Sequence, residues 1–183
     1  MRIIGGGAKG RPIRLYGGCR IRPTTDRVKE SLFNILNPVE GLYFLDIYAG
    51  CGNVGLEALS RGARSSVFVE RDLRLVEAIR ENLRLLGFEG RGEVIAAGAE
   101  QGLRCLAKRG EKFDILFADP PYGGGYFPEI LKCFEETGLL SENSIIVLQH
   151  SVREDPTGSL TRALVMTDQR RYGDTLLSFL KKR

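Results

Sequence analysis

One histidine, His150, stands in the whole 183-residue chain. That scarcity removes the Ser-His-Asp and Cys-His nucleophile systems unless this single ring serves them. Any chemistry must run largely without imidazole. Cysteine is sparse as well. The four, at 19, 51, 105 and 133, include no Cys-x-x-Cys pair to hold zinc or a redox disulfide, so no metal is expected. Apolar runs such as Ile145-Ile146-Val147-Leu148 are far too short to span a bilayer. The opening Met1-Arg2-Ile3-Ile4-Gly5 has no apolar h-region of a secretory signal. These absences lead to the expectation of a cytoplasmic protein without a membrane partner; a monomer is expected as well.

What is present reads as one globular unit. The chain is 43% hydrophobic and 27% charged, and its length fits about one domain, leaving no room for a separate substrate domain. The net charge of +4 is unevenly spread. Residues 1–30 carry eight basic side chains (Arg2, Lys9, Arg11, Arg14, Arg20, Arg22, Arg27, Lys29) against Asp26 and Glu30, so the rest of the chain is slightly acidic. An arginine- and glycine-rich basic segment on a near-neutral body is the electrostatic footprint of a phosphate-backbone binder, and the planar guanidinium suits phosphate. A solvated, loosely held tail is the plainer alternative.

The hydrophobic pattern alternates between strands and helices. Residues 42–47, 66–70, 93–97 and 113–118 read as strands. A helix start at 54–59 and helices near 100–108 and 127–136 lie between or after them. Leu73, Val76, Ile79, Leu83 and Leu86 recur at helical spacing and Gly87 supplies a stop. Such alternation predicts a doubly wound parallel sheet. Residues 144–149 add a strand, and 164–170 and 175–180 are too close for a parallel crossover, so they must pair as an antiparallel hairpin at one sheet edge. A boundary is expected near Pro38 to Gly41, dividing a basic arm with its helix (1–40) from a single globular unit (41–183).

The first chemical motif is Gly50-Cys51-Gly52-Asn53-Val54-Gly55, a G-x-G-x-x-G that follows the strand ending in Asp46-Ile47 and opens a helix. The glycines allow a tight turn and close approach of a ligand, while the helix start offers free N–H groups. Glu70 ends the next strand, 20 residues beyond Gly50, where a carboxylate can accept both hydroxyls of a ribose. This motif alone fits either a dinucleotide or S-adenosylmethionine.

The second motif separates them. The apolar strand 113–118 runs into Asp119-Pro120-Pro121-Tyr122, and two prolines cannot extend a ladder, so the strand stops and presents Asp119 and Tyr122 at the sheet's carboxyl edge. An exocyclic base amine is a poor nucleophile because its lone pair is delocalised into the ring. The Asp119 carboxylate and the Pro120 carbonyl can take its two protons and turn the lone pair toward a sulfonium methyl, while Tyr122 stacks on the base. A nicotinamide dehydrogenase would share only the glycine motif, and a non-catalytic RNA-binding module would explain only the basic arm. A DNA adenine-N6 methyltransferase would share both motifs but calls for an inserted recognition domain.

The chain also resembles the RsmD-like family of bacterial ribosomal RNA methyltransferases. The resemblance rests on Arg2-Ile3-Ile4-Gly5-Gly6 with Lys9-Gly10-Arg11, on the segment Ile21-Arg22-Pro23-Thr24-Thr25-Asp26-Arg27, on Leu45-Asp46 through Gly62-Ala63, on Phe68-Val69-Glu70-Arg71-Asp72, on Asp119 to Tyr122, and on Tyr172-Gly173-Asp174-Thr175. It implies an α/β, Rossmann-like class I S-adenosylmethionine-dependent methyltransferase, with a seven-stranded, mostly parallel sheet and a C-terminal antiparallel hairpin. The implied reaction is methyl transfer to the N2 amine of a guanine in 16S ribosomal RNA, free or within an assembling small subunit.

By the same resemblance, Asp46, Gly50 and Gly52 would meet the methionine part of the cofactor and Glu70 its ribose, with Tyr48, Ala49, Arg71, Ala99 and Asp119 completing the cofactor set. Asp119, Pro120 and Tyr122 would meet the guanine. Lys9, Arg11, Arg14, Arg20, Arg22, Thr24 and Arg27 would face the RNA. Three positions depart from the family's frequent pattern: Gly98 stands where an Asp often precedes Ala99, Gln149 replaces a Glu, and Cys51 a Ser.

Overall fold

The computed structural model describes residues 1–15, 24–154, 156–160 and 162–183. Arg20 and Arg22, expected to face RNA, lie outside the described residues. The elements run α1 (Asp26–Leu36), β1 (Tyr43–Ile47), α2 (Asn53–Ser60), β2 (Ser65–Glu70), α3 (Leu73–Leu86), β3 (Gly92–Ala96), α4 (Ala99–Lys108), β4 (Phe113–Ala118), α5 (Phe127–Thr137), β5 (Leu140–Ser151), β6 (Leu164–Tyr172) and β7 (Thr175–Lys182). The fold is the α/β architecture expected. A seven-stranded sheet has the order β3-β2-β1-β4-β5-β7-β6, parallel from β3 to β5 and antiparallel where β7 meets β5 and β6.

The order reverses between β1 and β4, and such a switch point opens a crevice at the carboxyl ends of those strands. The glycine loop leaves β1 there and Asp119-Pro120-Pro121-Tyr122 leaves β4. Chain topology alone therefore brings the two motifs together. The central strands are buried on both faces: Leu45, Ile47 and Leu116 pack against Leu103, Leu106 and Phe134 of α4 and α5, while Phe44, Ile115 and Phe117 pack against α1 and α2. This two-sided burial explains why β1 and β4 read as continuous apolar runs rather than alternating ones.

Two elements differ from expectation. β5 extends to Leu140–Ser151, longer than the apolar run 144–149, because Leu140 still pairs with Phe113 across a register shift. Leu73, expected on the apolar stripe of α3, is 68% exposed. It is the first helical residue, capped by the Asp72 side chain, while Val76, Ile79, Leu83 and Leu86 are buried as their spacing requires.

The first thirteen residues are not a solvated tail. Ile3, Ala8 and Ile13 are buried against Leu56, Leu59 and Leu83, and Ile3 N–H donates to the Arg11 carbonyl at 2.9 Å to close a small loop. Gly6 sits at φ +71° with its α-carbon hard against α2, where a β-carbon would lie 1.8 Å from the Ser60 carbonyl oxygen. No other residue fits there.

Candidate active site

A cleft of about 440 Å³ opens at the carboxyl edge, between the ends of β1, β2 and β4. Tyr48 and Gly50 form one wall, Glu70, Arg71 and Asp72 the second, Ala97 to Ala99 the floor, and Asp119 to Tyr122 the far side. A smaller cavity of about 40 Å³ shares Tyr48, Gly50 and Asp119 with it and reaches inward to Thr24, Asp46, Ala49 and Asn53. Asp46, Tyr48, Ala49, Gly50, Glu70, Arg71, Ala99, Asp119, Pro120 and Tyr122 are thus gathered as the sequence suggested. Gly52 is not. It lies behind the loop at φ +82°, capping α2, with its α-carbon facing Ile79, Leu56 and Phe68.

Glu70 is held more tightly than a ligand-binding acid needs to be. One carboxylate oxygen accepts from Gly50 N–H at 2.9 Å and the other from Arg71 and Asp72 N–H at 2.8 and 2.9 Å. A carboxylate has about four lone-pair positions, so three are spent on the backbone and one remains for a ligand hydroxyl. The side chain thereby clamps the glycine loop to the end of β2.

Asp46 is 2% exposed, and Oδ2 accepts from Gly55 N–H at 2.8 Å at the start of α2. Burial drives its carboxyl well above the usual range; the Gly55 hydrogen bond opposes this, while the charges of Asp119 and Glu70 reinforce it. Tyr48 adopts φ 60°, uncommon for a residue with a side chain, and its ring lies 5.8 Å from that of Tyr126. Burial first, then Tyr126, pushes its phenol up to about 12, so it remains protonated. Burial likewise raises the Cys51 thiol to about 11, which rules it out as a nucleophile near neutral pH.

Asp119 follows directly after β4, its N–H reaching the Ile47 carbonyl at 3.4 Å. Its Oδ2 accepts from Gln149 Nε2 at 2.8 Å, and Gln149 Oε1 accepts from the Thr24 hydroxyl at 3.2 Å. Beyond the prolines, Tyr122 is partly open to solvent, and the next N–H, of Gly123, donates to Glu154 at 2.7 Å. His150 plays no part in the cleft. It is fully buried, with Nδ1 against the carbonyls of Ser151 and Glu154 and Nε2 against the Ser178 hydroxyl.

Two contributors escaped the sequence reading. Asn53 Nδ2 donates to the Thr24 carbonyl at 2.9 Å, while its Oδ1 is buried beside the small cavity with no hydrogen-bond partner among the described residues. Asn53 occupies a variable position of G-x-G-x-x-G, where the motif carries no signal. Gln149 registered only as a departure from a family pattern, because its neighbour Asp119 is 30 residues away.

The expected RNA-facing residues divide into groups. Lys9 and Arg27 are exposed, and Thr24 is buried at the inner cavity. The Arg11 guanidinium donates to the Leu85 and Leu86 carbonyls at the end of α3, and Arg14 pairs with Glu81.

Comparison with known proteins places the chain in a family. Residues 1–181 fit the family described as conserved hypothetical protein 95. YlbH of Bacillus subtilis, a candidate rRNA methyltransferase by its name, is 39% identical over the full length of both chains. Ribosomal RNA small subunit methyltransferase D of Escherichia coli K12 is 37% identical over 83% of this chain and 75% of its own. Among solved structures, yhhF of Escherichia coli, a candidate methyltransferase by its name, superposes with a TM-score of 0.87 at 30% identity, covering all of this chain and 97% of that one. The chain therefore belongs to the conserved hypothetical protein 95 family, the family of the ribosomal RNA small subunit methyltransferases D.

Proposed function

We propose that this protein transfers a methyl group from S-adenosylmethionine to the exocyclic N2 amine of a guanine in small-subunit (16S) ribosomal RNA. The observation that carries the reading is the placement of the Asp119-Pro120 acceptor pair across a single cleft from the Glu70-clamped glycine loop. The relatives named as rRNA methyltransferases supply the substrate class.

The residues present fit the cofactor. Among the described residues lining the cleft Arg71 is the one basic side chain, whereas Asp46, Glu70 and Asp119 converge near Gly50. A pyrophosphate would meet carboxylates there; a cationic ligand meets compensating charge. The orphaned Asn53 Oδ1 and the Asp46 carboxyl offer acceptors to the ammonium of the methionine part. The open lone pair of Glu70 suits a ribose hydroxyl, and Gly98 and Ala99, at the start of α4, leave a flat floor for the adenine ring. When bound, S-adenosylmethionine supplies an electrophilic methyl on a sulfonium that leaves as a neutral thioether.

The chain's own part is orientation. The Asp119 carboxylate and the Pro120 carbonyl accept the two amine protons of the base, which aims the nitrogen lone pair along the line of attack, and the Tyr122 ring holds the base plane. As the new N–C bond forms, the nitrogen gives up one proton to the Asp119 carboxylate, which passes it to solvent, so no imidazole is required. Lys9 and Arg27, the exposed basic side chains of the expected set, contact the RNA backbone. The testing experiment incubates the protein with labelled S-adenosylmethionine and unmodified ribosomal RNA, digests the product and identifies the labelled nucleoside. Label on N2-methylguanosine of the small-subunit RNA is expected. Label on adenine N6, or none on RNA, overturns the reading.

A further inference from the structure

We propose that Gln149 is a positioning residue for Asp119, and that the Thr24 hydroxyl fixes the orientation in which it acts. The inference rests on the methyl-transfer reading above and adds a relay that no motif contains.

An amide offers a donor at one end and an acceptor at the other, and only the donor end stabilises a carboxylate. Gln149 uses both: Nε2 donates to Asp119 Oδ2 at 2.8 Å, and Oε1 receives the Thr24 hydroxyl at 3.2 Å. The reversed amide would aim its carbonyl oxygen at the carboxylate. Gln149 is 4% exposed and Thr24 8%, so water cannot readily replace either bond. Both ends of the relay are anchored. Gln149 lies within β5, paired with Leu177 of β7, and the Thr24 carbonyl receives Asn53 Nδ2 at 2.9 Å.

The relay answers a specific electrostatic problem. Asp119 stands near Asp46, and Asp46 also feels Glu70, so three acids share one edge of the sheet. Like charges favour rotation of a carboxylate away from its neighbours or uptake of a proton, and either change would spoil an acceptor meant for an amine. A fixed donor on Oδ2 opposes both. Thr24, expected to face RNA, instead acts on the reacting base through Gln149.

The test measures single-turnover methyl transfer to unmodified small-subunit RNA in the full-length protein. Cofactor and RNA affinities and melting temperature are recorded for the same variants. Gln149→Ala should lower the single-turnover rate about 10- to 100-fold with both affinities within about threefold, the pattern of a group lost from transition-state geometry. Thr24→Val should slow transfer about tenfold and Thr24→Ser should restore it, because serine keeps the hydroxyl. The double variant Thr24→Val/Gln149→Ala should be no slower than Gln149→Ala alone, since both act through one bond.

Should Gln149→Ala melt below the assay temperature, the Thr24→Val and Thr24→Ser pair decides. Multiplying losses, failure of serine to restore, or a loss confined to RNA affinity would overturn the relay and return Thr24 to the RNA surface. A parent protein that methylates no RNA overturns the functional reading and the relay with it. An active parent with unchanged variants overturns the relay alone.

Discussion

Lys29 and Glu57 meet at 3.3 Å with neither side chain exposed to solvent, and the Glu57 carboxylate gathers three more donors around it. Ile4 and Gly5 N–H reach it at 2.9 and 2.8 Å and Arg61 Nε at 2.8 Å, while Lys29 also donates to the Arg2 carbonyl at 2.7 Å. Burial lowers the Lys29 ammonium from its ordinary range and the Glu57 charge opposes that shift. One acid thus ties the amino-terminal segment and α1 to α2.

Glu57→Ala should therefore cost about 3 to 5 kcal/mol, because it strands a buried ammonium and two partly buried backbone N–H groups. Lys29→Met should cost less, about 1 to 3 kcal/mol, since Glu57 keeps three donors. Urea unfolding of both variants measures this. Equal losses would mean that the ion pair, rather than the backbone donors, dominates.

At Glu70 the expected effect divides between ligand and loop. Glu70→Ala should weaken S-adenosylmethionine binding by about 1 to 3 kcal/mol. Glu70→Gln should be milder, because the amide oxygen can still accept from Gly50 or from a ribose hydroxyl. Calorimetric titration is the check, and unchanged affinity in Glu70→Ala would remove the ribose role.

The orphaned Asn53 oxygen gives a sharper cofactor test. Asn53→Ala should weaken S-adenosylmethionine and its decarboxylated analogue, which both carry the ammonium, by roughly 10- to 100-fold, the range for a hydrogen bond to a charged group. Methylthioadenosine, which lacks the amino-acid part, should bind as before. Equal weakening of all three would mean that Asn53 only shapes the loop.

These sites differ in how much of them was visible in the chain. The glycine loop, Glu70 and Asp119 to Tyr122 could be read in advance because each motif is contiguous and follows a buried strand, so its position at the carboxyl edge comes with the strand. The hairpin was legible because its connection is too short for a crossover. Glu57 was not: an acid within Val54-Gly55-Leu56-Glu57-Ala58-Leu59 contradicts the apolar pattern, and its partner Lys29 lies 28 residues away. Gln149 and Thr24 were hidden for the same reason, as the Gln149–Asp119 contact depends on the register of β5 against β4 and Thr24 lies 125 residues from Gln149. Arg11 was misleading in another way. Its charge suggested phosphate, while its guanidinium serves the open carbonyls at the end of α3.

That difference among the arginines makes the RNA surface testable residue by residue. Lys9→Ala and Arg27→Ala should each make the salt dependence of RNA binding shallower by about 0.7 to 0.9 in the logarithmic slope, one counterion contact apiece. Arg11→Ala should leave the slope unchanged and lower the unfolding midpoint. A slope that responds to Arg11 and not to Arg27 would move the RNA track to the α3 side of the molecule.

The chemistry itself turns on Asp119. If its carboxylate orients the guanine amine, Asp119→Ala should slow single-turnover transfer at least 100-fold, about 3 kcal/mol of differential transition-state binding, with cofactor affinity within a few fold. Asp119→Asn should be milder, since its amide oxygen still accepts, although the Gln149 donor then faces a neutral group and the amide can turn its nitrogen toward the base. Tyr122→Phe should be nearly silent and Tyr122→Ala damaging, because stacking requires the ring and not the hydroxyl. Enzyme in excess over RNA separates the transfer step from product release. Near-normal transfer by Asp119→Ala would mean that other groups orient the amine, and the Asp119-Pro120-Pro121-Tyr122 turn would revert to a device that ends β4.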